Sequence, residues 1–208
     1  MSQDNPLQLR LEECFFHETD QQNIYCIHYA PSQAPHRVGI IIVPPVGHER
    51  LRCYRECVNL ARDLATQGYH VLRFDYRGEG ESDGDFENTD IRTRLSDIGH
   101  AHDLLVARSG IEYCCLVGFR LGALLALISA GDRQNDCVVL CDPISNVKSY
   151  CRSLFRANLI MQQEYFGRLS YKEIELRDRL RSGDIMSVYG FHYANRFISQ
   201  MEEINEQD

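Results

Sequence analysis

Leu116-Val117-Gly118-Phe119-Arg120-Leu121-Gly122-Ala123-Leu124-Leu125-Ala126-Leu127 is the stretch that decides how this chain folds. A short apolar run passes through two glycines into a long apolar run, which predicts a strand, a tight turn and a buried helix. The glycines stand two residues before and two after Arg120. That is the spacing of the Gly-x-Ser-x-Gly turn, in which small neighbours let one residue project from a strained strand-to-helix junction. Here the projecting residue is arginine. Guanidinium stays protonated at any accessible pH and has no lone pair to offer a carbonyl. The frame is that of a serine-type site, and the side chain at its centre is no nucleophile.

Upstream, Tyr113 to Val117 is the strand entering this turn, and Val38-Gly39-Ile40-Ile41-Ile42-Val43 is a second continuous apolar run, ended by Pro44-Pro45. Such runs suit strands buried on both faces of a parallel sheet. Between them the sequence predicts a helix marked by Tyr54, Val58, Ala61 and Ala65 and stopped by Gly68, then the strand His70 to Phe74. An amphipathic helix follows, marked by Ile91, Leu95, Ile98, Ala101 and Leu105, N-capped by Asp90 and closed by Gly110. Leu9 to Thr19 and Asn23 to Tyr29, separated by Asp20-Gln21-Gln22, read as a hairpin capping one sheet edge. Downstream of the turn, the helix reads as apolar all round and central, and Cys137 to Asp142 as a further strand.

This alternation defines an α/β fold: a mostly parallel sheet with right-handed crossovers and helices on both faces. From Val147 onward, charged helical segments with interleaved aromatic residues replace the apolar strands. The expected organisation is a single domain, with a core over residues 1–146. Residues 147–208 form a helical, lid-like segment over the C-terminal ends of the strands, where ligands bind in such sheets.

Composition narrows the function. A net charge of −8 argues against nonspecific nucleic-acid binding, which needs a basic face. No stretch approaches the roughly 20 apolar residues of a membrane span, and the N-terminus lacks a basic leader with an apolar core, so the expected location is the cytosol. The nine cysteines are scattered, with no Cys-x-x-Cys and no zinc-type Cys/His spacing, and read as small apolar residues. The residues give no sign of a metal or cofactor. His100 and His102, two apart on a helix, face different directions, and the acidic run Asp83 to Asp90 has no histidine partner and reads as a solvated turn.

Asp75-Tyr76-Arg77-Gly78-x-Gly80-x-Ser82-x-Gly84 and Gly118-x-Arg120-x-Gly122, at this separation, resemble the α/β-hydrolase superfamily over roughly residues 9 to 145. The likeness extends to serine aminopeptidase-like hydrolases and to a bacterial exosortase-associated group in which arginine can replace the elbow serine. Asp142-Pro143 and the stretch from Gly190 to Ile204 also resemble that group. The resemblance implies ester or amide hydrolase descent and an oxyanion hole made by the backbone N–H groups of Val46 and Leu121. Pro44 stands where many members have histidine. It also implies a catalytic acid after the sixth or seventh strand, the place of Asp142, and a histidine after the eighth. No seventh or eighth sheet strand is evident after Asp142, and the one histidine beyond the elbow, His192, lies in a stretch that reads as helical.

Three readings of function follow. In the first, catalysis is impaired and a pocket lined by Val46, Arg120, Leu121 and Asp142, with His48 beside it, binds a small anionic or acyl ligand. Arg120 then either holds the anion or salt-bridges a carboxylate such as Asp142 and closes the pocket. His48 either orients the ligand or is a partly exposed loop residue. In the second, the chain is an active serine-type hydrolase or esterase whose nucleophile is Ser82 or Ser145. In the third, it is a non-enzymatic interaction or scaffold protein that forms a homodimer through the open apolar edge at Cys137 to Cys141. Asp75 and Arg77 read as architecture of their glycine-rich loop, with a site role as the alternative.

Overall fold

The computed structural model describes residues 12–19, 22–131 and 136–204, and at its centre is a six-stranded sheet in the order β1-β2-β4-β3-β5-β6. The strands are β1 (Glu12–Thr19), β2 (Gln22–Tyr29), β3 (Val38–Val43), β4 (His70–Phe74), β5 (Tyr113–Phe119) and β6 (Asp136–Cys141). Neighbouring strands among β3, β4, β5 and β6 pair parallel. β1 and β2 form an antiparallel hairpin whose inner strand pairs antiparallel with β4. The hairpin thus caps one edge as expected, although positions 9–11 and 20–21 of the stretch expected to form it lie outside the described residues.

Parallel neighbours need crossovers. These are α1 (His48–Thr66), α2 (Ile91–Ser109) and α3 (Leu121–Ala130). The period-two alternation of the strands divides the core between the two faces. Ile41, Leu72 and Leu116 pack with Ile98 and Leu105 of α2 and Leu125 of α3. Ile40, Ile42, Val71 and Val117 pack with Cys57, Ala61 and Ala65 of α1. The side chain of Asp90 caps α2 by accepting the Thr93 N–H at 2.9 Å, and Gly110 ends it in the left-handed conformation.

Two expectations need correction. α3 is not buried all round: Leu127 is 49% exposed and Ile128 39%. The helix packs on β5, β6 and α2 near the open side of the sheet, and its remaining face meets solvent. Nor is the C-terminal stretch wholly helical. After α4 (Val147–Phe166) and α5 (Glu173–Arg181), the chain makes a hairpin of β7 (Met186–Val188) and β8 (Phe191–Tyr193) before α6 (Asn195–Ile204). His192 is therefore in a strand. Strands of three residues carry too little alternation to be told from a helix by pattern, and the turn between them relies on Tyr189 and Gly190 at positive φ.

The β7–β8 hairpin is a sheet of its own, so among the described residues the main sheet stops at β6. Val139 and Leu140 are exposed along that edge. Tyr150, Leu154 and Phe155 of α4, with Val188, Tyr193 and Phe197, share one core cluster with Ile41 and Leu116. Among the described residues no helix is long and apolar enough to cross a membrane.

One buried pair makes stability depend on pH. His28 of β2 is buried, and its Nε2 lies 3.2 Å from Nδ1 of His70 with the two rings stacked. Burial, and then the neighbouring His70, push the His28 imidazole down to about 4. An unfolded histidine titrates near 6.5. Between pH 6.5 and 4 the unfolded chain therefore binds the extra proton, and stability falls as pH falls. Denaturant titrations are expected to show wild type losing on the order of 1–3 kcal/mol more than His28→Gln between pH 7 and pH 4.5. Equal losses in the two proteins would refute the assignment.

Candidate functional site

The turn after β5 has the shape its glycines require. A Cβ on Gly118 would lie 2.5 Å from Cα of Ala123, and one on Gly122 would lie 2.2 Å from the Pro44 carbonyl oxygen. Only hydrogen fits at either place, so the first turn of α3 sits directly on the ends of β3 and β5. Arg120 is left at φ 56, ψ −121, a conformation that costs a residue with a Cβ about 1–3 kcal/mol. Its N–H donates to the Cys141 carbonyl at 3.0 Å, tying the turn to the end of β6.

The Arg120 side chain is held between two carboxylates. Nε donates to Oε1 of Glu49 at 3.0 Å, and Nη1 donates to Oδ2 of Asp142 at 2.9 Å. Glu49, in the first turn of α1, also accepts the Tyr150 hydroxyl at 3.2 Å. Partial burial alone would lower the guanidinium's proton affinity, but Glu49 and Asp142 outweigh it and hold the group above its usual value. Burial first, with Tyr193 and Glu49 adding to it, keeps the Tyr150 phenol far above its ordinary range, so it is a neutral donor. Asp142 is at φ 47, which Asp tolerates better than most residues, and its side chain is largely exposed.

The loop after β3 lies beside this clamp. Val46 is fully buried, as is Leu121. Gly47, at φ 65, caps α1, and a Cβ there would lie 2.5 Å from the Tyr193 hydroxyl. The Gly47 N–H donates to Oε2 of Glu79 at 3.1 Å, and the other oxygen of Glu79 accepts Nη2 of Arg94 at 3.1 Å. Arg94 is itself fully buried, its guanidinium 4.7 Å from the Phe86 ring centroid and 5.0 Å from that of Phe197. His48 is the first residue of α1. Its ring packs against Tyr189 at 5.0 Å, burial lowers its pKa, and its Nδ1 has no hydrogen-bond partner. The Tyr193 hydroxyl is likewise buried without a partner.

Of the residues expected from sequence, Arg120 and Asp142 are in direct contact. Leu121 follows Arg120 in the chain, Val46 belongs to the loop after β3, and His48 opens α1. His192 is elsewhere, with its Nδ1 3.4 Å from Glu87 on the exposed side of β8. Ser82 is committed to architecture: its hydroxyl donates to the Asp75 carbonyl at 2.6 Å and accepts the Tyr25 N–H at 2.8 Å. Asp75 pairs with Arg50 and Arg77 with Asp97, so both serve their loop. Glu49, Tyr150, Glu79, Arg94 and Tyr193 were not singled out by sequence. Glu49 directly follows His48, but nothing in one sequence says which carboxylate a turn arginine will meet.

A family model described as serine aminopeptidase, S33, matches residues 36–190. Lysophosphatidylserine lipase ABHD12 of Gallus gallus is 32% identical over 101 residues, which is 46% of this chain and 26% of that protein. Protein ABHD12B of Homo sapiens is 33% identical over 112 residues, 51% of this chain and 30% of that protein. The chain thus spans under a third of these curated relatives. Among solved structures, Est1E of Butyrivibrio proteoclasticus with ferulic acid bound superposes at a TM-score of 0.66 with 18% identity, covering 91% of this chain and 70% of that one. A thermostable carboxyl esterase of Bacillus coagulans superposes at 0.59 with 15% identity, covering 93% and 73%. At these identities the superpositions establish the fold.

The backbone of Arg120 supplies a test of the turn. Arg120→Ala and Arg120→Gly both remove the two ion pairs, but glycine alone relieves the positive φ. Urea unfolding should find Arg120→Gly more stable than Arg120→Ala by about 1 kcal/mol, the reverse of the usual order. An alanine variant as stable as the glycine variant would mean that residue 120 is unstrained.

Proposed function

The chain belongs to the serine aminopeptidase S33 family, and from that premise we propose that it does not carry out serine-type catalysis at the elbow, which instead serves as a binding frame for the acyl part of a small molecule. The observation that carries this reading is the clamp on Arg120. The residue at the elbow cannot attack a carbonyl, and its guanidinium is already occupied by Glu49 and Asp142. Two carboxylates facing one cation leave the clamp with a net negative charge, which disfavours an anionic ligand there.

The acyl alternative is better supported. Leu121 opens α3, so its N–H has no acceptor within the helix, and the start of a helix favours the oxygen of a polarised carbonyl. Val46, the second donor implied by the family resemblance, lies in the loop whose Gly47 is fixed by Glu79. The printed name of the ABHD12 relatives, lysophosphatidylserine lipase, denotes action on an acyl lipid, which agrees in chemical class. Among the described residues no histidine is hydrogen-bonded to the elbow clamp.

Hydrolysis of short- and medium-chain p-nitrophenyl esters tests the reading, with Arg120→Ser assayed beside wild type. Both are expected at the buffer rate. Wild-type turnover that survives repurification would overturn the proposal, and turnover in Arg120→Ser alone would show that a base persists and only the nucleophile is absent. Saturation-transfer NMR on the unhydrolysed ester then reads the binding half, with contact expected along its acyl chain.

A further inference from the structure

The end of α4 and the turn into α5 present apolar side chains to solvent. Tyr165 is 75% exposed, Phe166 68%, Leu169 51% and Ile174 75%. The turn that carries them is held from beneath. Gly167 ends α4 in the left-handed conformation, and Oε1 of the buried Gln162 accepts the N–H of Ser170 at 2.8 Å and that of Tyr171 at 3.1 Å. Single exposed apolar residues are ordinary, whereas several on one ordered turn mark an interaction surface.

The charges beside this tip are nearly all of one sign. Residues 147–172 hold five basic side chains, Lys148, Arg152, Arg156, Arg168 and Lys172, against one acidic side chain, Glu164. All five are exposed, and among the described residues none of them pairs with a carboxylate. Lys148, Arg152 and Arg156 recur every four positions and so share the solvent face of α4, away from the buried Tyr150, Leu154 and Asn158. The charges of α5 answer one another instead: Arg177 pairs with Glu173 and Glu202, Arg179 with Asp184, and Arg181 with Asp178. The chain as a whole carries −8, so the positive surplus is local. At physiological ionic strength charges beyond about 8 Å are largely screened, and the local surplus is what an approaching surface meets.

We propose that this face binds peripherally to an anionic lipid bilayer. Tyr165, Phe166 and Leu169 enter the headgroup layer, and the basic side chains along α4 and in the turn meet the negative charges of the lipids. The combination selects the partner. Apolar residues alone would suit another protein, and basic residues alone a soluble polyanion, but an apolar tip flanked by unpaired cations fits an apolar layer beneath an anionic one. Each Lys or Arg near such a surface contributes about fivefold to binding, and burial of the aromatic tip adds to it. This surface shares no residue with the elbow clamp, and its role is independent of the chemistry there.

The test is co-sedimentation of the full chain with vesicles of phosphatidylcholine, with and without about one third phosphatidylserine, at about 0.1 M salt. Wild type is expected to bind the anionic vesicles at least about tenfold more tightly than the neutral ones, and to weaken as salt is raised. Arg152→Gln with Arg156→Gln should lower affinity about 10–30-fold, and Tyr165→Ser with Phe166→Ser at least about tenfold. All four positions are exposed, and circular dichroism verifies that the variants fold. Wild type that ignores anionic vesicles or binds both kinds equally, or variants that bind like wild type, would overturn the proposal. So would self-association that the tip variant abolishes in the absence of any binding to vesicles, which would assign the patch to a second copy of the chain. The chain has no tryptophan, so Phe166→Trp supplies a single reporter whose emission should shift to the blue on anionic vesicles. Unchanged emission would place the tip outside the bilayer and refute the assignment.

Discussion

The close approach of the first turn of α3 to the ends of β3 and β5 governs the rest of this molecule. Because a Cβ on Gly118 or Gly122 would run into backbone, these positions admit only glycine, and the helix must start at once after the strand. The residue between them is forced to positive φ and its side chain is thrown out over the C-terminal ends of the strands. What Arg120 meets there is set by the neighbouring elements: Glu49 from the first turn of α1 and Asp142 just after the end of β6. The C-terminal elements then pack on these same groups, Tyr150 of α4 bonding to Glu49 and Tyr193 of β8 lying against Gly47.

A second layer of order comes from buried charge. Glu79 sits between two glycines in a loop whose path is fixed by Asp75, which receives the Glu81 N–H at 3.1 Å and pairs with Arg50. From there its carboxylate reaches the Gly47 N–H on one side and Arg94 on the other. Arg94 in turn is walled by Tyr76, Phe86 and Phe197, so one guanidinium joins α2, the loop after β4 and α6. Removing either partner of a fully buried pair leaves the other uncompensated, which typically costs 3–5 kcal/mol. The loop after β3 is positioned by this network more than by its own short sequence.

Much of the fold is legible in the chain because its signals are local. The continuous apolar runs at Val38 to Val43 and at Tyr113 to Val117, the caps at Asp90 and Gly110 and the glycine spacing about Arg120 each carry a physical requirement that a single segment can display. The β7–β8 hairpin was not legible, since three residues in each strand give no usable period. The exposure of Leu127 and Ile128 was also hidden: their apolarity is visible, but what covers a helix is a property of the whole sheet. At the site, sequence identifies the residue on the elbow and offers Asp142 as a partner. It is silent on Glu49, because the contact spans 71 positions and depends on where two loops finish.

The hydrogen bond from the Arg120 N–H to the Cys141 carbonyl joins the elbow to a strand that, among the described residues, is paired on one side only. Edge strands are where a sheet opens first, by local fluctuations that need far less free energy than global unfolding. When the end of β6 frays, the anchor of the turn and the adjoining Asp142 are released together, while Glu49, seated on α1, stays in place. The lifetime of the closed clamp is therefore the lifetime of the last rung of an edge ladder. Amide exchange at residue 120 should run at the pace of β6 and well ahead of the protected centre of β5 from which the elbow springs.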